Sequence, residues 1–315
     1  MPAFLYDAER TDRHVAVGDV PVAQLNGEQL LWIDVADEDE LAGVATTLGL
    51  TAETVRAIRE PSPEPALFAH DGYVHVVVVA PGAESKAHLL DCIVGQNWVL
   101  TVHREPVEFL GRFDERIRGD SELGKLDGHG FLAAILHEHV ASYLAELRPI
   151  EAELDRLDLR SLTGRVNEEK LLRDLVVVRL RVAKLRRMLE PHRSLFALLG
   201  RSEFAVLSGS QAAADFDALS ELLERTLHSL EATREMVIGS FEIYTTWTAH
   251  GTNKVIKRLT VASVALLPPT LLAGVMGMNS LPHTLVSAGA FWTSTAVMAS
   301  LALAVVSVAL VRNWI

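Results

Sequence analysis

The chain has 315 residues with 41 acidic and 29 basic side chains, which gives a formal net charge of −12. This acidic balance argues against nucleic acid as a partner, because general nucleic-acid binding requires a basic surface. Cys92 is the only cysteine, so the chain cannot form an intrachain disulfide, in agreement with a reducing cytoplasmic environment.

The first hundred residues predict β-strands. Leu30–Val35 and Tyr73–Val79 are apolar and rich in β-branched residues, and His88–Val94 and Trp98–His103 form a predicted hairpin around a three-residue turn. The acidic run at 37–40 predicts a helix start, where carboxylates favour the positive end of the helix dipole. A metal site is the alternative interpretation of that run.

Helical patterns follow after Glu105. One long helix is predicted over Phe131–Arg160, with Pro149 as a kink, and a second over Glu168–Leu199. A third is predicted to begin near Ala212 or Asp215 and to run towards the C-terminal region without a strong breaker. Strands followed by long helices indicate an α/β domain with a helical part.

The sequence contains no recognisable catalytic pattern. We find no nucleophile elbow, phosphate-binding glycine loop or zinc-protease motif. His137 and His139 are two residues apart, so they should lie on different faces of their helix and not form a metal pair. We therefore expect no enzymatic activity.

An uncharged stretch dominates the C-terminal region. Leu259–Val311 contains 53 residues without Asp, Glu, Lys or Arg, enough for two crossings of about 20 residues each. Basic residues flank the two predicted spans at Lys254, Lys257, Arg258 and Arg312, while the link between the spans has none. The positive-inside rule then places both chain ends in the cytoplasm, in a multi-pass protein of the inner (plasma) membrane. The alternative is a buried helical hairpin of a large soluble protein.

The helix that enters the membrane has a seven-residue repeat of unusual content. The positions are Glu242, Thr246, Ala249, Asn253, Ile256, Thr260, Ser263, Leu267, Thr270, Gly274 and Gly277. Such a repeat is typical of helices packed around a shared axis. Polar side chains in a membrane span usually face a bundle interior or water, and two crossings cannot enclose a path, so several chains must contribute. Small-residue packing through Gly274 and Gly277, with a kink at Pro268-Pro269, is the alternative.

At this point the residues resemble a known family. Asn253–Thr260 and Leu267–Asn279 are similar to the CorA-type divalent-cation transporters, whose hallmark is Gly-Met-Asn at the outer end of the first of two C-terminal membrane helices. Weaker similarity covers Val94–His103 and Arg187–Arg193. The Pro268-Pro269 pair and the Leu-Pro after Asn279 look closer to the ZntB-like, zinc-transporting branch.

The resemblance implies a CorA-like homopentamer. Each chain would have an α/β cytoplasmic domain, a long stalk helix and two C-terminal transmembrane helices, surrounded by membrane lipid. The implied divisions are 1–200 for the cytoplasmic domain, 201–254 for the stalk, 255–279 for the first membrane helix, 280–287 for a short outer loop, and 288–315 for the second membrane helix with a short cytoplasmic tail.

The resemblance also implies roles for particular residues. Gly277, Met278 and Asn279 would form the selectivity filter, with Asn279 contacting the ion. The implied pore-lining and gate positions are Glu242, Asn253, Ile256, Leu259, Thr260, Ser263, Leu267, Thr270 and Gly274. Leu259 and Leu267 would narrow the pore, and Asp215 and Asp217 are possible regulatory metal ligands. Divalent cations (Mg²⁺, Zn²⁺, Co²⁺, Ni²⁺) would be the substrate and a possible regulator, and no other cofactor is expected.

The sequence departs from the family pattern after the motif. Residues 280–284 contain no acidic side chain, whereas many members have one there. His283 could contact a softer ion such as zinc, or serve as an interfacial polar residue. The missing acidic residues keep a second interpretation open, in which the chain is a non-conducting, membrane-anchored CorA-like metal sensor or scaffold.

Overall fold

The computed structural model describes residues 2–9, 12–36, 38–82, 85–117, 123, 125–162, 168–200, 202–277 and 288–312. The chain divides into two compact units. The first contains residues 1–160 and 165–239, and the second contains residues 161–164 and 240–315.

Seven strands of the first unit form one mixed sheet. They are β1 (Pro2–Asp7), β2 (Arg13–Ala16), β3 (Gln29–Val35), β4 (Ala66–His70), β5 (Tyr73–Pro81), β6 (Ala87–Val94) and β7 (Trp98–Val102). Their spatial order is β2-β1-β3-β7-β6-β5-β4, and among these neighbours β3 and β7 alone run parallel. The predicted strands correspond to β3, β5, β6 and β7, including the hairpin, so those predictions are confirmed.

Most of the described α-helices follow the strands, and two short ones lie between β3 and β4. They are α1 (Glu38–Leu48), α2 (Ala52–Arg59), α3 (Glu108–Ile117), α4 (Gly128–Leu162), α5 (Glu168–Leu189), α6 (His192–Leu199), α7 (Ser202–Met276) and α8 (Ala288–Val311). Helix α1 begins within the acidic run, as the helix-start interpretation predicts. Helix α4 extends the predicted Phe131–Arg160 helix at both ends.

Two helix predictions were wrong. The single helix expected over Glu168–Leu199 is two helices, α5 and α6, because Pro191 has no amide hydrogen and disfavours helical geometry in the residue before it. Helix α7 begins at Ser202 and not near Ala212 or Asp215. Extending an existing helix requires no new nucleation, so residues of modest helix propensity such as Ser and Gly join it.

Helices α4 and α6 attach to the sheet at the edge of β5. Pairing between β4 and β5 ends at Ala66 and Val77, which leaves the backbone of Val79 without a β4 partner. Side chains from the helices replace that strand. The Val79 N–H donates to Nε2 of His192 (3.1 Å), and the Val79 carbonyl accepts from Nε2 of His139 (2.7 Å) and the hydroxyl of Tyr143 (2.6 Å).

The two histidines at this edge are held neutral. His139 and His192 are fully buried and their rings lie 4.7 Å apart. Burial lowers the pKa of His139 to about 4, and burial together with the nearby His139 lowers the pKa of His192 well below its ordinary value. His137 is exposed and lies beside Glu138, whereas His139 is buried, so His137 and His139 occupy different faces of α4, as predicted.

Candidate functional site on helix α7

Two of the described helices are long and apolar enough to cross a membrane. The candidate spans lie within Ala214–Met276 and Phe291–Val311. Their most apolar windows are 11% and 6% buried inside the chain. A core hairpin of a soluble protein would be mostly buried, so the chain itself does not supply the cover that the alternative interpretation requires.

Helix α8 packs against one side of α7. Val261 and Ala265 of α7 and Ala309 of α8 are buried, and Val261 and Ala309 line one groove between the two helices. Further along α7, Pro268, Leu272 and Met276 are half-buried at spacings of three and four residues. This spacing defines a single stripe of α7 that faces its partner helix.

Most of the predicted pore-lining residues lie on the other side of α7, and Thr260 lies at the border, where it also lines a groove between α7 and α8. All of them are exposed within the chain: Glu242, Asn253, Ile256, Leu259, Thr260, Ser263, Leu267, Thr270, Gly274 and Gly277. Successive residues turn by about 100° around a helix, which places the centre of this set roughly opposite the stripe that contacts α8. Leu259 and Leu267 are 66% and 67% exposed, and they belong to a run of exposed apolar side chains from Val255 to Val275, which marks a surface that contacts membrane or protein.

Two hydroxyls on this face are oriented by their own helix. Oγ1 of Thr260 donates to the carbonyl of Ile256 (2.8 Å), and Oγ1 of Thr270 donates to the carbonyl of Leu266 (2.7 Å). A hydroxyl has one hydrogen and two lone pairs, so these oxygens retain acceptor capacity only. The face is therefore uncharged yet electronegative, which suits a cation and not an anion.

The basic residues near the cytoplasmic end lie away from the centre of this face. Lys254, Lys257 and Arg258 precede Val261 by seven, four and three residues, so they share the side of α7 that α8 contacts. Arg312 follows α8 and lines a groove between the two helices. Lys257, four residues after Asn253 and three before Thr260, lies at the border between the two sides, and from Leu259 to Gly277 the exposed polar face carries no positive side chain.

The outer end of the candidate site is only partly described. Helix α7 ends at Met276, and the Gly277 N–H donates to the Ala273 carbonyl (3.0 Å). Met278, Asn279 and His283 lie outside the described residues. Their predicted roles in the filter and in ion contact stay predictions.

The predicted regulatory carboxylates lie near the start of α7, and their metal role stays a prediction. Asp215 is half-buried and Asp217 is exposed near the start of α7. Within the described ranges, no three or more His, Cys, Asp or Glu side chains are arranged to hold a metal ion.

The first unit, called the soluble unit below, contains a titratable histidine, His103, that the sequence analysis did not single out. His103, after β7, directs Nδ1 at the Glu105 carbonyl (3.0 Å) and Nε2 at the Asp34 carboxylate (3.3 Å). Both partners are acceptors, and only a protonated imidazole has two N–H groups. The Asp34 carboxylate accordingly raises the pKa of His103. The parallel pairing of β3 with β7, which brings Asp34 and His103 together, could not be read from the sequence.

Comparison with known proteins decides the family. The family described as CorA-like Mg²⁺ transporter protein matches residues 27–312. The chain belongs to this family. The cobalt/magnesium transport protein CorA of Methanocaldococcus jannaschii is 23% identical over 260 residues, which cover 80% of this chain and 80% of that protein.

Solved structures of CorA-like proteins share the fold. The complete CorA magnesium transporter of M. jannaschii matches with a TM-score of 0.79 at 20% identity, covering 100% of this chain and 99% of that one. The ZntB cytoplasmic domain of Vibrio parahaemolyticus matches with a TM-score of 0.62 at 11% identity, covering 79% and 98%. The predicted CorA-like architecture, an α/β domain followed by a long helix and a C-terminal apolar helix, is therefore confirmed.

Proposed function

We propose that the chain assembles as a homopentamer in the inner (plasma) membrane and conducts divalent metal cations along the exposed face of α7. The observation that carries the proposal is the continuous set of exposed polar and small residues opposite α8, from Asn253 to Gly277. One helix cannot enclose a path, so copies of this face must surround it. Membership of the CorA-like family supports metal cations as the substrate.

The chemistry of the face fits a hydrated ion. Mg²⁺ gives up its waters reluctantly, so amide rings at Asn279 and Asn253 would accept the ion with water still bound. The hydroxyl oxygens of Thr260 and Thr270 would accept hydrogen bonds from those waters, because their own hydrogens are used within the helix. Rings of Leu259 and Leu267 would close the path by excluding water, and movement of the stalk would widen them.

The orientation follows from charge. The basic residues Lys254, Lys257, Arg258 and Arg312 would remain on the cytoplasmic side, so both chain ends would lie in the cytoplasm. Glu242 would then stand at the cytoplasmic mouth and attract cations.

Ion flux into liposomes tests the proposal. Mg²⁺, Zn²⁺, Co²⁺ and Ni²⁺ are offered separately to the reconstituted full-length protein, with and without a pH gradient, to identify the ion and any proton coupling. Asn279→Ala is expected to abolish flux. Thr270→Ala is expected to reduce flux several-fold, because it removes an acceptor from the conducting face.

The matched control is Thr295→Ala on α8. Thr295 is also exposed and donates to a carbonyl four residues back, that of Phe291 (2.9 Å), but it lies outside the proposed path. Equal loss of flux in the two threonine variants, or normal flux in Asn279→Ala, would argue against the conducting face. Assembled protein that passes none of the four ions would instead support the sensor or scaffold function.

A further inference from the structure

The part of α7 from Ser240 onward and α8 form a pair of helices in the second unit, which we call the hairpin. A groove runs between the two helices on one flank of this pair. Its volume is about 330 Å³, within the range of small-molecule sites in proteins, and its walls are almost entirely aliphatic. Val261 and Val264 form the α7 wall, and Leu301, Val305 and Val308 form the α8 wall. Sequence reasoning missed it, although the recurrence of Leu301, Val305 and Val308 on one face of α8 is visible in the chain.

The groove has a cationic mouth. Arg312, which follows α8, lines the groove itself. Lys257 precedes Thr260 by three residues and Val264 by seven, and both of those residues line the groove, so Lys257 stands one turn below the groove on the same flank. Arg258 precedes Ala265 by seven residues, which puts it on the other flank of α7.

The hairpin has no carboxylate to neutralise this mouth. After Glu242 the sequence contains four Lys or Arg residues and no Asp or Glu up to Ile315. A second copy of the hairpin would bring the same cations and no Asp or Glu side chain after Glu242. The counter-charge must come from another molecule, and an aliphatic groove with a cationic end fits an amphiphile with an anionic head.

We infer that the groove binds an anionic phospholipid, with one acyl chain lying between α7 and α8 and the phosphate held by Arg312 and Lys257. Basic pockets between membrane helices on the cytoplasmic side are suited to anionic headgroups, and the adjoining apolar walls give the acyl chain a place to be buried. The inference requires that the hairpin lies in a membrane, but it does not depend on ion conduction.

Native mass spectrometry of the delipidated full-length protein in detergent tests the inference. The probes are phosphatidylglycerol and phosphatidylcholine with the same acyl chains. We expect preferential retention of phosphatidylglycerol, and a loss of affinity of about fivefold in each of Lys257→Gln and Arg312→Gln. Arg258→Gln is the matched control, since it removes a cation from the same turn but from the other flank, and its affinity should stay near that of the unaltered protein.

A second variant tests the contribution of the apolar groove walls separately from that of the charged side chains. Val305→Trp fills the groove without altering any charge, and it should weaken binding of both lipids. Inorganic phosphate serves as the competitor that has a head but no chain, and it should fail to displace the lipid at equal concentration.

Four outcomes would overturn the inference. They are equal retention of the two lipids, an equal loss in Arg258→Gln and Lys257→Gln, displacement by inorganic phosphate, and a Val305→Cys protein whose copies cross-link through this position. The last would show that a second chain fills the groove. Because lipid retention is measured without ion flux, failure here leaves the transport proposal standing, and the converse also holds.

Discussion

The two units of the chain differ in where their side chains find partners. All nine residues of β5 are buried, and even the backbone that β4 leaves uncovered at Val79 is bonded by His139, Tyr143 and His192. In the hairpin, by contrast, the most apolar window of α8 is 6% buried, and both leucines of the α7 face are about two-thirds exposed. The first unit buries its apolar side chains within one chain, whereas the hairpin requires lipid, water or further copies.

The largest expected effect contrasts two phenylalanines. Phe131 is fully buried, and its ring lies 5.6 to 6.0 Å from those of Trp32, Phe113 and Tyr6. Phe131→Ala should lower the free energy of unfolding by about 3–5 kcal/mol, through lost burial and the cavity it leaves. Phe291, 59% exposed in α8, is the matched control, and Phe291→Ala should have little effect.

Unfolding of the full-length protein in detergent, followed by circular dichroism, measures this contrast. A similar loss in both variants would mean that the hairpin is packed within its own chain as tightly as the soluble unit.

Acid should destabilise the soluble unit through the sheet edge. The folded pKa of His139, about 4, lies below the unfolded value near 6.5, so the unfolded state binds the proton first as pH falls. The stability from neutral His139 is therefore complete above pH 6.5 and is lost between pH 6.5 and 4, by about 3 kcal/mol.

His139→Gln keeps a donor for the Val79 carbonyl but does not titrate. Unfolding measured from pH 7 to pH 4 should show a flatter dependence in this variant. An unchanged slope would locate the acid sensitivity elsewhere.

These two tests concern the part of the molecule that sequence patterns described best. Buried strands such as β5 were predictable because a run of β-branched residues has few other uses in a soluble chain. The edge strands β2 and β4 were not predicted, because short, partly exposed segments lack that signal. The inner strand β1 was not predicted either. The partners of Val79 come from residues 60 and 113 positions away, and no local pattern contains such pairings.

In the hairpin, the sequence pattern located the candidate face but not the way in which the two helices pack. The seven-residue repeat is sufficient to locate the candidate face, since a membrane helix has one period and few charges to obscure it. What the repeat could not give was the position of α8 relative to that face, which depends on packing between Val261, Ala265 and Ala309.

The third prediction compares two leucines of equal exposure. Leu267 on the α7 face is 67% exposed, and Leu303 on α8 is 66% exposed. If Leu267 closes a water-filled path, Leu267→Ser should admit water and raise ion flux about tenfold, which corresponds to about 1.4 kcal/mol. Leu303→Ser, which would face lipid, should leave liposome flux unchanged. Equal effects of the two substitutions would remove the distinction between the faces.

The smallest expected effect runs in the opposite pH direction from that of His139. Asp34 raises the folded pKa of His103 above its unfolded value, so the associated stability is complete below pH 6.5 and is lost as pH rises through the folded pKa. Asp34 is substantially exposed, so the contribution should be less than about 1 kcal/mol. Comparing Asp34→Asn with the unaltered protein between pH 6 and 9 measures it, and a dependence of the same size in the variant would assign the effect to another group.

The α7 face also bears on how protons could move. From Leu259 to Gly277 there is no side chain that gains or loses a proton near neutral pH, because hydroxyl, amide and hydrocarbon groups do not titrate there. Within this stretch a proton could therefore not be relayed from residue to residue, as happens in carrier proteins with buried carboxylates. If the liposome experiment reveals coupling to a pH gradient, water in the conduit or groups beyond these nineteen positions must provide it.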